Sequence, residues 1–138
     1  IKTGERAFDY VFHERTWSYF ATHPDAAETF QRAMTTMTRF ENAAVLRAYD
    51  FSVFETIVDV GGGHGLLLTS ILHNHPSVRS ILFDTTITIE QTKEQLSPEL
   101  KERGDLVGGS FFESVPTGAD AYIMKNVLHD WSDEQCLT

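Results

Sequence analysis

Gly61, Gly62, Gly63 and Gly65 sit between an apolar run, Thr56-Ile-Val-Asp-Val60, and a leucine-rich run that opens at Leu66. The first run is short, apolar and closed by glycine, as a strand buried on both faces would be. The second has the length and character of a helix, stopping near His73 before Pro76. A turn leading straight from strand to helix needs backbone angles that side chains resist, and it lets the main chain come close to a ligand. The dinucleotide fingerprint Gly-x-Gly-x-x-Gly is met at Gly61 and Gly63, but its third position is Leu66. The glycine falls early, at Gly65, so a loop folded against a smaller cofactor is favoured over a pyrophosphate cradle. A tight turn that holds no ligand is the alternative.

A second apolar run, Ser80-Ile-Leu-Phe83, ends at Asp84, roughly 20 residues beyond the glycines. A carboxylate there can accept both hydroxyl protons of a ribose, as any adenosine cofactor would require. Taken alone, Asp84 could equally be a helix N-cap or a solvated loop acid. Helices are expected over Ile87–Leu96 and from Ser97-Pro98, and strands at Leu106-Val107 and Ala119–Met124. This alternation predicts an α/β fold, a parallel sheet with helices on both faces and about four strands in the order 3-2-1-4. In such sheets the ligand lies at the carboxyl ends of the strands.

The chain changes character near residue 55, and before it the pattern is helical. A helix is expected across Arg6 to Ala21, carrying Phe8, Phe12, Trp17 and Phe20. A capping box at Asp25-Ala-Ala-Glu28 predicts a second, of about 22 residues, ending near Tyr49-Asp50. It carries Phe30, Met34 and Met37 at helical spacing. Such aromatic density fits packing against a neighbouring domain, or the lining of an apolar ligand pocket. The organisation expected is a helical linker and acceptor-pocket segment over 1–50 and the start of a cofactor-binding domain over 51–138.

Charge and cysteine content narrow the function. Lys and Arg total 11 against 20 Asp and Glu, a formal net charge of -9, so nucleic acid and anionic membrane are not expected partners. The lone Cys136 rules out an internal disulfide framework and a cysteine-rich zinc site; it is expected to be a buried small hydrophobe. His73 and His75 have metal-ligand spacing, but no carboxylate motif joins them, and a metal-free reaction is expected. The run Glu90 to Arg103 reads as a solvated helix face with pairs Glu90–Lys93 and Glu99–Arg103. With no signal peptide at Ile1-Lys2-Thr3-Gly4, the cytoplasm is the default compartment.

Val58-Asp-Val-Gly-Gly-Gly-His-Gly65, Ile81-Leu-Phe-Asp84, Gly109-Ser-Phe-Phe112 and Lys125-Asn-Val-Leu-His-Asp-Trp-Ser-Asp-Glu134 occur in this order. Together they resemble the S-adenosylmethionine-dependent small-molecule O-methyltransferases of the caffeate, hydroxyindole and polyketide-tailoring type. The resemblance covers nearly the whole chain, and the Lys125–Glu134 block is its most specific part. It implies a Rossmann-like class I methyltransferase sheet, here an internal fragment, with a winged-helix dimerisation domain before it and the last strands after it. It implies S-adenosylmethionine as cofactor, S-adenosylhomocysteine as product, a small aromatic acceptor and a homodimeric full-length protein.

Residue by residue, the resemblance turns Gly61 and Gly63 toward the methionine part of the cofactor, with Asp59 of the same motif in the cofactor-binding set. It gives Asp84 the ribose, Ser110 and Phe111 the flanks of the adenine, and Lys125 a place near the cofactor. His129 becomes the general base, Asp130 a neighbour of the acceptor, and Phe30, Met34 and Met37 the acceptor pocket. Ser110 stands where the family usually has Asp, and Asp84-Thr85-Thr86 where it often has Asp-Leu-Pro. Ser132 with Gln135 resembles a capping box that would start a helix beside His129. A nicotinamide oxidoreductase and a non-catalytic binding remnant are the competing readings. The chain alone, with its fourth strand an uncovered edge, is expected to be unstable or to associate, with weak or no turnover.

Overall fold

The computed structural model describes residues 6–137. The chain divides into two compact units, Ile1–Thr38 and Arg39–Thr138.

In the first unit the single helix expected over Arg6–Ala21 is two, α1 (Ala7–Phe12) and α2 (Thr16–Thr22). His13 ends α1 in the left-handed region, φ 57°, with its N–H donating to the Asp9 carbonyl. The break has a packing cause. In a continuous helix, Phe12 and Tyr19 would stand about 10 Å apart along the axis. The turn instead brings their ring centroids to 4.8 Å, and Phe8 within 4.4 Å of Phe12 and 5.3 Å of Tyr19. Helix α3 (Pro24–Ala48) runs through the division between the units. Its first amide bond is from Ala27 N–H to the His23 carbonyl, so Pro24 occupies the first helical position and Asp25 lies in the first turn instead of capping it. Proline's fixed φ and missing N–H suit that position, which explains the earlier start.

The second unit is a four-stranded parallel sheet in the order β3-β2-β1-β4, as the sequence predicts. The strands are β1 (Thr56–Val60), β2 (Arg79–Asp84), β3 (Gly104–Gly108) and β4 (Ala121–Ile123). β1 is buried on both faces. Ile57 joins a core with Leu67, Leu68, Ile71, Leu72, Leu82 and Leu100, while Val58 and Val60 join Phe83 on the other side. The first core is closed by α4 (Leu66–Asn74), α5 (Thr86–Lys93) and α6 (Pro98–Arg103). Thr85 and Ser97 cap α5 and α6 by accepting from the Thr88 and Leu100 amides. Among the described residues no helix is long and apolar enough to cross a membrane.

Two expected side-chain roles differ. Glu90 and Lys93 pair at 2.6 Å, but Arg103 does not pair with Glu99. Its guanidinium donates to the carbonyls of Leu72 (2.8 Å), His75 (3.1 Å) and Val78 (3.1 Å). The last carbonyls of a helix lack partners within it, and the end of α4 takes the guanidinium that α6 supplies. Glu99 lies 3.1 Å from His73 instead. Cys136, expected buried, is exposed at the end of α7 (Asp133–Cys136), where its thiol reaches the Leu128 carbonyl at 3.4 Å.

Arg103→Ala should therefore cost about 2–4 kcal/mol of unfolding free energy in a urea titration, since it removes three charge-assisted bonds to part-buried carbonyls. Arg103→Lys should recover only part of that, because an ammonium lacks the planar fork. A loss under about 0.5 kcal/mol for the alanine variant, as at an ordinary surface site, would show that water replaces these bonds freely.

Candidate functional site

All four strands point the same way, so their carboxyl ends share one rim. The rim carries the glycine loop after β1, Asp84 at the end of β2, Gly109-Ser110-Phe111 after β3 and the Lys125–Asp130 segment after β4.

The glycine loop is built under constraint. Gly61, Gly63 and Gly65 have φ of 73°, 59° and 72°, the left-handed region that side chains resist. A Cβ at Gly61 would stand 2.7 Å from Val127, one at Gly62 2.7 Å from the Asp59 carboxyl carbon, and one at Gly65 2.7 Å from Leu100. At Gly63 nothing lies within 4 Å. Gly63 thus faces open space, which a bound group can fill. Its N–H donates to Asp84 Oδ2 at 2.9 Å, and the Thr85 N–H donates to Oδ1 at 2.7 Å. Each carboxylate oxygen keeps a second acceptor position. The donor set is what a nucleoside would need: a bare loop, and beside it a half-buried carboxylate already oriented by two amides.

Asp59 lies beneath this loop, 2% exposed. Burial pushes its carboxyl from the ordinary 3.8 up to about 7; the Lys125 charge opposes the rise and Asp84 adds to it. After β3, the Gly109 N–H donates to the Asp84 carbonyl at 2.9 Å, and the Ser110 carbonyl accepts the amides of Glu113 and Ser114. Phe111 packs against Val58, Val60 and Phe83, and its ring meets Trp131 edge-on at 5.8 Å. Trp131 also meets Phe112 at 4.7 Å. These rings, with Val60, Met124 and Leu128, line an apolar hollow of about 300 Å³.

His129 and Asp130 stand on a 3-10 turn, Leu128–Asp130, just past β4. The His129 ring is 64% exposed, and its Nε2 lies 3.4 Å from Asp130 Oδ1. The expected capping box follows, with Ser132 Oγ accepting from the Gln135 amide and the Gln135 side chain accepting from the Ser132 amide. Lys125 Nζ lies 2.6 Å from Glu41 Oε2, and Asn126 Nδ2 donates to the same oxygen at 3.3 Å. Sequence reasoning missed Glu41, because nothing local to α3 announces a partner beyond β4. It also missed Asn126, whose φ of 58° is of the kind asparagine tolerates. The structure thus brings Asp59, Gly61, Gly63, Asp84, Ser110, Phe111, Lys125, His129 and Asp130 to one rim or directly beneath it. Phe30, Met34 and Met37 belong to the first unit, where Phe30 packs on Trp17 and Phe20 and Met37 is 54% exposed.

The raised Asp59 titration has a sign. Its folded pKa lies above the unfolded one, so its contribution is complete below about pH 4 and is lost as pH rises toward about 7. Urea unfolding should find the protein less stable at pH 8 than at pH 5. Asp59→Asn should flatten that slope, and an unchanged slope in the variant would assign the loss to other groups.

The sequence pattern of the O-methyltransferase domain family matches residues 1–138. The chain is similar to a phenazine O-methyltransferase of Lysobacter antibioticus, 39% identical over 99% of this chain and 40% of that protein. Its fold is similar to that of a mitomycin 7-O-methyltransferase, with a TM-score of 0.86, 40% identity and coverage of 96% of this chain and 40% of that one. It is also similar to an O-methyltransferase from neocarzinostatin biosynthesis, crystallised with S-adenosylmethionine and 2-hydroxy-5-methyl naphthoic acid. There the TM-score is 0.85 at 28% identity, over 99% of this chain and 42% of that one. The chain therefore spans about 40% of the length of the relatives it matches. With a parallel sheet, a glycine loop closed by Asp84 and a family match from end to end, this chain belongs to the O-methyltransferase family.

Proposed function

We propose that this chain is part of an enzyme that transfers a methyl group from S-adenosylmethionine to a hydroxyl of a small aromatic or polyketide-like molecule. The observation that carries the reading is the pairing of Gly63, open on its outer side, with the Asp84 carboxylate 2.9 Å from its amide. The ligands of the neocarzinostatin relative support it. When bound, the cofactor supplies a methyl group on a cationic sulfonium leaving group.

The chain's own residues would then bind, orient and move a proton. Asp84 accepts the ribose hydroxyls through the acceptor positions its two amide bonds leave open. The flat face of Phe111 and the hydroxyl of Ser110 flank the adenine, the serine offering a hydrogen bond without charge. Lys125 stands near the cofactor with its charge matched by Glu41, which limits repulsion of a cationic ligand. Phe30, Met34 and Met37 are assigned to the acceptor on the resemblance alone, as are homodimer formation, a cytoplasmic setting and the division of labour between 1–50 and 51–138.

His129 is the general base, and Asp130 neighbours the acceptor. A phenol titrates near ~10 and an ordinary imidazole near ~6.5, so complete deprotonation beforehand is uphill by about 3–4 pK units. The proton is therefore taken as the acceptor oxygen gives up its electron pair, which asks for placement more than for a strong base. The Asp130 carboxylate lies 3.4 Å from Nε2 of the ring.

Calorimetric titration separates this reading from a nicotinamide enzyme: S-adenosylhomocysteine should bind and NAD should not, and the reverse would overturn it. In the intact enzyme, His129→Gln should lower methyl transfer by about 10²–10⁴ while cofactor affinity stays within about threefold. Full activity in that variant would remove His129 as the base. Asp84→Ala should act first on the cofactor, weakening S-adenosylhomocysteine binding by about ten- to a hundredfold.

A further inference from the structure

The segment that carries His129 is fastened at one end by a residue of a different element. Glu41, on the last part of α3, holds Lys125 Nζ at 2.6 Å and Asn126 Nδ2 at 3.3 Å through the same carboxylate oxygen. These two residues make the bend out of β4, with Asn126 in the left-handed region at φ 58°. The next residue, Val127, is 8% exposed and fills the space where a Cβ on Gly61 would be. The 3-10 turn Leu128–Asp130 follows at once. A chain of contacts thus runs from Glu41 through Lys125, Asn126 and Val127 to the glycine loop on one side and to His129 on the other.

We propose that Glu41 is a positioning residue: its carboxylate clamps Lys125 and Asn126, seats Val127 against Gly61 and so sets where His129 stands relative to the cofactor loop. The inference rests on the methyl-transfer reading for its consequence, but not for its geometry. The pair is built for the task. The Lys125 side chain is 18% exposed and that of Glu41 40%, so the stem of the lysine is packed while the carboxylate stands at the surface. The Lys125 hydrogen bond, followed by its charge and the Asn126 bond, holds the Glu41 carboxyl below the usual glutamate range. Asparagine is one of the few side chains that accept the left-handed region, and the Glu41 oxygen is what the Asn126 side chain grips. The other end of the segment is held separately, by Trp131 against Phe111 and Phe112 and by the Ser132–Gln135 capping box. With both ends fixed, the short turn between them has little freedom.

The test uses the intact protein. Glu41→Ala should lower kcat for methyl transfer about tenfold or more, and Glu41→Gln, whose amide oxygen can still accept from Lys125 and Asn126, should stay within about threefold of the unaltered enzyme. Because Glu41 acts through His129, the losses should not multiply: Glu41→Ala combined with His129→Gln should be no slower than His129→Gln by more than about twofold. Losses that multiply would reduce Glu41 to a general stability element and overturn the proposal. So would a Glu41→Ala enzyme with unchanged kcat, or one that does not fold. Imidazole NMR without cofactor gives a readout independent of turnover: the His129 ring resonances should move in Glu41→Ala and return in Glu41→Gln. If the unaltered protein neither binds S-adenosylhomocysteine nor methylates, the functional reading fails, while the resonances still decide whether Glu41 positions His129.

Discussion

The hydrogen bond from the Gly63 amide to the Asp84 carboxylate joins the ends of β1 and β2, and the rim of the sheet is organised around it. A loop with three residues in the left-handed region has many shapes open to it, and glycine raises the entropy that must be lost to select one. A charged acceptor at a fixed strand end selects among them. Its geometry depends in turn on the register of the central pair, in which Val60 lies opposite Phe83, and on the Gly61 amide that donates to the Phe83 carbonyl at 2.8 Å. The apolar filling of β1 on both faces thus positions polar atoms at its end.

The rest of the rim is attached to this centre by contacts that close over it from different parts of the chain. Val127 covers Gly61, Leu82 and Leu100 cover Gly65, and Phe83 underlies Gly109. Three of the glycines in the loop are therefore small because protein packs against them, and Gly63 is the one left open to the outside. Beneath them sits Asp59, a carboxyl group whose burial favours the neutral form and whose charged state depends on Lys125. Lys125 is shared between that buried acid and Glu41, so the electrostatics of the rim and the placement of the His129 turn run through one ammonium group.

Much of the second unit was legible in the chain. The apolar runs at Thr56–Val60 and Ser80–Phe83, the glycines after the first and the Ser97-Pro98 cap all carry local signals, and the expected strand order 3-2-1-4 is the order found. The Ser132–Gln135 box was equally plain. What was misread depended on contacts that no local pattern records. The helix break at His13 answers to rings that meet only once the chain has turned. Arg103 does not pair with Glu99 one turn away; its guanidinium goes to the carbonyls of Leu72 near the end of α4, His75 at its C-cap and Val78 just before β2. Cys136 is small and apolar enough to be buried, yet its helix leaves it at the surface.

By itself the sequence determined the class of fold, the family and the residue types at the rim, because periodicity, turn chemistry and the four motif blocks are properties of neighbouring residues. Only the tertiary structure decided which glycine is open, that Asp59 lies under the loop, and that Glu41 reaches across to Lys125 and Asn126. Those facts are distances between elements. They are set by the way helices and strands stack to bury apolar surface, and a linear pattern carries no record of which side chains that stacking will bring together.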